Sequence, residues 1–408
     1  MFKSGYFISI GAGKNQLPLI LKSKELGLKI IAVDNNRNAV GFKHSDIKII
    51  QSVHDFRKIY ATLLKLFLEE PIVGIGVRSY GKAVLSASYI AEKLNLIGTK
   101  YLILKKFYNK KLMKAFLGEN GISVPISYSW KNLKEFPKLV NEVSYPCILK
   151  PVDNIAKIGI EVFQNAKSLL LRLTQLKPKN DRFLLEEFID GKEVTVLGFV
   201  QNKKFILVSI SDKITTNFPP FLELSHRLPT VHEKIKGELR LICQNIVQFT
   251  GLENSPIVAE FKVTARGQIY LIEFMPEIGG EYLADYLIPE FYEYDYFKNY
   301  VNLLTGNPIS QIDNRKLKKK SIQSQICFIA PPDGLSMFTS ITKSELDSEN
   351  KVFLEQKLKE IGTQVNTRDG NACRVQVVGI TSSNQIKPEE LDKNVRNVYN
   401  AKFESIKS

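Results

Sequence analysis

The stretch Leu271–Gly280, L-I-E-F-M-P-E-I-G-G, decides how this chain is read. It is a short apolar strand that carries Glu273 to its end and then breaks at Pro276 and a glycine pair. Thirteen residues upstream of Glu273, P-I-V-A-E-F-K-V (Pro256–Val263) reads as a second strand and carries Glu260. Two carboxylates at one depth on adjacent strands suit a hard divalent cation. The next side chains, Met275 and Glu277, are poor partners for phosphates.

Moving outward, Lys150 follows four apolar or small residues in P-C-I-L-K-P, which places it at the end of a buried strand. A lysine there is costly unless an anion neutralises it, whereas an isolated strand-end lysine is ordinarily a surface residue. Lys110 and Lys111 open a helix ahead of it, and the stretch Lys105–Pro125 reads as one helix closed by a glycine and then an exit to a strand. The loop D-N-I-A-K-I-G that follows Lys150 contains Lys157 and ends on Gly159. With a single glycine it is a poor phosphate cradle, but Lys110 and Lys150 can clamp a polyphosphate by charge. Next comes L-L-E-E-F-I-D-G-K-E. Glu186, Glu187, Phe188 and Ile189 can read a base edge, and Glu193 can accept from ribose hydroxyls; a charged hairpin in water is the plainer alternative.

The first hundred residues alternate strand and helix, which implies a parallel, doubly wound sheet. G-A-G-K-N-Q after the first strand and Asp34 after the second resemble a dinucleotide fold, but the third glycine of G-x-G-x-x-G is missing. The 408 residues, 44% of them apolar, are enough for several domains with real cores. The formal charge of +15 is spread along the chain, with Arg315–Lys320 as its longest block and no nucleic-acid motif beside it, so no nucleic-acid partner is expected. No run of 18 apolar residues occurs, so no membrane association is expected. The start reads as a strand and not as a secretory signal, which makes a cytoplasmic location the expectation. Cys147, Cys243, Cys327 and Cys373 lie far apart and fit reduced, buried thiols.

Taken in order, the helix lysine, strand lysine, glycine-bearing loop, E-E-F-I-D-G-K-E and paired strand acids resemble the ATP-grasp superfamily. I-S-I-G-A-G-K-N-Q-L-P is similar to the N-terminal domain of its carboxylate–amine ligase branch. D-K-I-T-T-N-F-P-P-F-L-E-L-S-H-R-L-P (Asp212–Pro229) looks like the substrate loop of L-amino acid ligases. The C-terminal segment resembles the closing lobe found there and in biotin carboxylase. The resemblance implies an α/β chain with an α+β central domain. A Rossmann-like domain (1–103) would precede an ATP-grasp fold of two lobes (104–180 and 181–315) and a C-terminal α/β lobe (316–408).

Carried over by residue, it makes Lys110 and Lys150 phosphate lysines with Lys157 and Gly159 in the loop between the strands. Glu186–Ile189 become the adenine contact, Glu193 the ribose acid, and Glu260 and Glu273 the magnesium ligands, with manganese an alternative metal. Glu223 and His226 match positions near the acceptor. The family's E-I-N-P-R places a metal-binding Asn and a substrate-binding Arg where this chain has Met275 and Glu277. Glu277, with Glu281 and Asp285 beyond it, is therefore expected to hold something cationic such as an amine, or to reach a second metal, with a weakened site as the alternative; the glycine pair is expected to let backbone approach a ligand. The implied activity joins a small-molecule carboxylate to an amine through an acyl phosphate, with ATP and magnesium. A carboxyphosphate-type carboxylase, a non-catalytic ATP binder and a homodimeric state are left open.

Overall fold

The structure is a computed structural model that describes residues 4–130, 132–151, 158–176, 183–217, 219–312, 323–383 and 387–406. The chain opens with β1 (Tyr6–Ile10), α1 (Leu17–Glu25), β2 (Lys29–Asp34), β3 (Ile47–Ile50), α2 (Phe56–Leu63), β4 (Ile72–Gly76) and α3 (Lys82–Lys93). The four strands are parallel in the order β3-β2-β1-β4. Asp34, the last residue of β2, is engaged by the backbone. Its two oxygens accept the backbone N–H groups of Ala12 and Asn36, both at 2.9 Å, and so fasten the Gly11–Gln16 turn.

The lysine-rich stretch expected as one helix is two. α4 (Tyr101–Phe107) ends at Tyr108, and α5 (Lys110–Glu119) restarts behind Asn109, whose side chain accepts the N–H of Leu112 at 3.1 Å. An asparagine cap satisfies orphan N–H groups and so starts a helix where periodicity alone sees continuity. Beyond it, β5 (Ser127–Tyr128), α6 (Phe136–Glu142), β6 (Cys147–Pro151), β7 (Glu161–Phe163), α7 (Ala166–Leu176) and β8 (Phe183–Glu187) form a small lobe. Its antiparallel sheet has the order β5-β8-β6-β7, and Trp130, Phe136, Leu139, Leu149, Leu169 and Leu185 pack its core.

The rest is built on one eight-stranded antiparallel sheet. β9 (Lys192–Gln201), β10 (Lys204–Thr215), β11 (Glu223–Leu228), α8 (Lys236–Thr250), β12 (Ser255–Val263), β13 (Ile269–Met275), α9 (Ile288–Tyr292) and α10 (Tyr296–Thr305) follow in turn. Then come β14 (Gln323–Ile329), β15 (Leu335–Lys343), β16 (Asn350–Lys357), β17 (Gln364–Asn366), β18 (Gln376–Ser382), α11 (Pro388–Val398) and β19 (Tyr399–Ser405). The sheet order is β13-β12-β9-β10-β11-β14-β18-β16, so strands of the last ninety-odd residues continue the sheet of the large lobe; β17-β15-β19 make a separate three-stranded sheet. β9 is buried on both faces (Val194, Val196, Leu197, Phe199, Val200), as a central strand requires. Gly198 sits where a Cβ would come within 2.6 Å of the Ile206 carbonyl, beside a bulge between Leu207 and Ser209 in the β9–β10 hairpin.

α10 does not pack only on its own lobe. Tyr296, Tyr300, Leu303 and Leu304 share a core with Phe7, Leu19, Ile30 and Ala32 of the first sheet. The Tyr300 hydroxyl accepts the N–H of Val77 at 3.2 Å just past β4. No helix among the described residues is long and apolar enough to cross a membrane.

Candidate active site

Glu260 and Glu273 face each other directly in the β12–β13 register. Opposite residues of an antiparallel pair project to the same face, so the two carboxylates stand side by side at the outer edge of the large sheet. Glu273 is joined to Lys110 at 2.9 Å, the first residue of α5. Burial pushes the Glu273 carboxyl upward, but Lys110, Lys150 and Lys213 outweigh it and keep the group ionised.

Lys150, at the end of β6, meets an anion from within the chain: Glu186 lies 2.5 Å away. A second lysine, Lys114, one turn along α5 from Lys110, donates to the same carboxylate. Burial raises and the two ammonium groups lower the Glu186 carboxyl, with a net downward shift; burial and the charge of Lys150 bring Lys114 down to about 8. Glu186 therefore does not present its carboxylate to a base edge as expected. It is 1% exposed and already neutralises two cations. The neighbouring Glu187 carboxylate accepts the N–H of Ile126 at 3.0 Å, and the N–H of Phe188 donates to Pro146 at 3.0 Å.

The centre of the face is a lysine that sequence reasoning missed. Lys213, fully buried on β10, lies 2.7 Å from Glu223, 2.7 Å from Glu260 and 3.5 Å from Glu193. Burial alone would lower its amine; the three carboxylates more than reverse this and hold it charged. Counting from the Gln201↔Lys204 pair, a regular hairpin would set Lys213 opposite Lys192. The bulge at Leu207/Ser209 moves it opposite Glu193 instead. Across β11 Lys213 pairs with His226, whose ring lies 4.0 Å from Glu223 and is 2% exposed. Both ring nitrogens of His226, the Ser211 hydroxyl and the Thr195 hydroxyl are buried without a protein hydrogen-bond partner among the described residues. Thr195 pairs with both Ser211 and Glu260, so these orphaned polar atoms lie on the face of the two metal-type acids. Buried polar groups without partners are costly and mark a place for a polar ligand.

Glu193 also lies 3.9 Å from Lys262 of β12, and Lys262 donates to the Ile189 carbonyl at 2.9 Å. Ile189 is thus held beside Glu193 through Lys262, and Glu186 beside Lys150. Gly159 has φ +75 at the described edge of the small-lobe loop, whose Lys157 lies outside the described residues.

The expected amine pocket after β13 is not what the chain builds. Glu277 turns into the seam with the first sheet, where its Oε1 accepts the Gly81 N–H at 2.8 Å and the Tyr108 hydroxyl at 2.5 Å. Burial, with Glu273 adding to it, pushes its carboxyl up to about 7 against those hydrogen bonds. Glu281 is paired with Arg374 at 2.6 Å and Asp285 is forked by Arg78, so neither acid is left to attract an amine. Gly279 serves packing: a Cβ there would lie 2.7 Å from Leu197. No group of three or more His, Cys, Asp or Glu side chains among the described residues is arranged to hold a metal.

Residues 143–285, which span Lys150, the Glu186–Glu193 segment and both acids, match the ATP-grasp domain family. The matched stretch is about a third of the chain and is similar to an ATP-grasp domain. Curated relatives include phosphoribosylamine–glycine ligase of Helicobacter pylori, 25% identical over 151 residues (36% of this chain, 35% of the relative). D-alanine–D-alanine ligase of Aquifex aeolicus is 24% identical over 179 residues, covering 41% of this chain and 56% of the relative. The chain thus spans about a third to a half of the length of these relatives. Among solved structures, L-amino acid ligase from Bacillus licheniformis superposes with a TM-score of 0.79 at 18% identity, over 99% of this chain and 100% of that one. Phosphoribosylglycinamide synthetase from Anaerococcus prevotii gives 0.73 at 17%, over 98% and 100%. At these identities the likeness is one of fold.

Proposed function

We propose that this chain is an ATP-dependent carboxylate–amine ligase. ATP phosphorylates a carboxylate to an acyl phosphate, and an amine then displaces phosphate to leave an amide, ADP and inorganic phosphate. The observation that carries the reading is the face on which Glu260 stands opposite Glu273, with Lys110 and Lys150 brought to it from the small lobe.

The residues present fit magnesium. Two hard carboxylates in register suit an ion that keeps water and substrate phosphates in its shell. Bound there, magnesium would supply charge neutralisation for the transferred phosphoryl group. The chain's own residues do the rest. Lys110 and Lys150, now paired with Glu273 and Glu186, exchange carboxylate for phosphate oxygens when a triphosphate arrives, at little desolvation cost because the charges are already matched. Phe188 and Ile189 border the base, and Glu193 accepts from the ribose. Glu223 and His226, beside Lys213, line the acceptor pocket, and His226 with its unpartnered nitrogens can take the amine's proton. Glu277 has a structural part at the domain seam and no part in choosing the amine.

Phosphate release measured with pools of carboxylates and amines tests this. Release should require both pools together with ATP and magnesium, and EDTA should abolish it. Release driven by bicarbonate would make the chain a carboxylase. Nucleotide binding with no release under any combination would make it a non-catalytic binder.

A further inference from the structure

Phe221 has a position that the reading above does not use. It lies in the loop between β10 and β11, directly before Leu222 and Glu223, and its backbone is left-handed at φ +59. A non-glycine residue keeps such a conformation only where its surroundings impose it. Its ring stacks on Phe188 at a centroid distance of 5.7 Å and an interplanar angle of 25°. Lys262 lies over both rings, 4.7 Å from the Phe188 centroid and 5.9 Å from that of Phe221. The same ammonium donates to the Ile189 carbonyl and approaches Glu193. Two aromatic rings and one cation therefore join three segments: the Phe188–Ile189 linker, β12 two residues past Glu260, and the loop that delivers Glu223.

Within the loop Leu222 is buried in a core cluster with Cys327, Phe338 and Val375, and Glu223 is bound by Lys213 at 2.7 Å. The Thr216 N–H donates to the Leu222 carbonyl at 2.9 Å, and the Leu222 N–H donates to the Thr216 hydroxyl at 3.0 Å. The Glu223 N–H donates to the Asn371 side chain at 3.0 Å, a residue of the C-terminal part. Stacked and cation–π contacts depend steeply on ring placement. A ligand that fixes Phe188 and Ile189 fixes the surface on which Phe221 rests.

We propose that Phe221 couples the nucleotide site to the acceptor pocket: Mg-ATP held at Phe188–Ile189 orders residues 219–223 through the Phe188–Phe221–Lys262 stack. The second substrate then meets a formed pocket only on nucleotide-loaded enzyme. This rests on the assignment of Phe188–Ile189 to the base and Glu223 to the acceptor.

Hydrogen exchange with the non-hydrolysable Mg-AMP-PNP as the probe tests it without any knowledge of the acceptor. Calorimetry on the same samples establishes that the probe binds. In the wild type, the Thr216, Leu222 and Glu223 amides should slow by at least about fivefold on binding, the low end of common site-to-site coupling. In Phe221→Ala the probe should still bind while the slowing disappears. Should Phe221→Ala fail to fold, Phe221→Leu, which keeps bulk without a ring face, gives the same reading. Binding without slowing in the wild type overturns the coupling and leaves the ligase reading standing. Slowing that survives in the Phe221 variants overturns it as well. A wild-type chain that does not bind the probe removes both readings.

Discussion

Lys213 and Glu277 are the two side chains whose burial makes the most specific demands. Replacing Lys213 by Met leaves Glu193, Glu223 and Glu260 without their shared counter-charge. Removing one partner of a buried ionic group costs about 3–5 kcal/mol. In the variant the crowded carboxylates take up protons more readily, so the deficit should shrink as pH falls from 7.5 to 5. Urea unfolding at both values checks this, and an equal deficit would mean that Lys213 contributes packing and not charge. Glu277 works in the other direction. Folded, it keeps its proton up to about pH 7, while an unfolded glutamate releases it near 4.5. Between those values the folded state binds the extra proton, so this group's contribution to stability is greatest at acid pH and declines as pH rises toward 7. Glu277→Gln keeps an acceptor for Gly81 and Tyr108 but cannot ionise. Its stability relative to wild type should therefore improve from pH 5 to pH 8, by on the order of 2 kcal/mol. Parallel pH profiles for the two proteins would refute the buried, raised carboxyl.

Elements were legible wherever a local signal ends them. The glycines Gly27, Gly251 and Gly306 stand in left-handed backbone at or just past the C-terminal ends of α1, α8 and α10, where a glycine in the sequence is a local stop signal. The acids Glu260 and Glu273 were legible because each ends an apolar run, and the register sets them opposite one another. What escaped the sequence depends on partners far along the chain. Lys114 looked like one more lysine of a basic helix until Glu186 reached it, and Lys213 was hidden by a one-residue bulge that reverses which side of β9 it faces. Arg78 and Arg374, which cancel the acids after β13, come from segments with no local mark of that role. The break between α4 and α5 was overlooked because Asn109 sits among lysines and aromatics that suit a helix interior. Its cap has a measurable consequence. Asn109→Ala should cost about 1 kcal/mol in stability. Because α5 carries Lys110 and Lys114, nucleotide affinity should fall with it. A thermal-shift series with Mg-ATP checks both, and an unchanged affinity would show that α5 is placed by packing alone.

At the scale of the whole molecule, the parts do not close upon themselves. The C-terminal strands extend the sheet that bears the site, Asn371 reaches Glu223, and Arg78 and Glu277 stitch the first sheet to the centre. α10 lays Tyr296, Tyr300, Leu303 and Leu304 against the first sheet's inner face. A ribosome therefore releases β1–β4 long before it makes the helix that shields them. In the interval that nascent sheet shows an oily side to the cell, the kind of surface that chaperones bind and that aggregates when unattended. A fragment of residues 1–100 made alone should be insoluble, and supplying residues 288–312 in the same polypeptide through a flexible linker should rescue it. A soluble, monomeric short fragment in sedimentation would show instead that synthesis can pause there without harm.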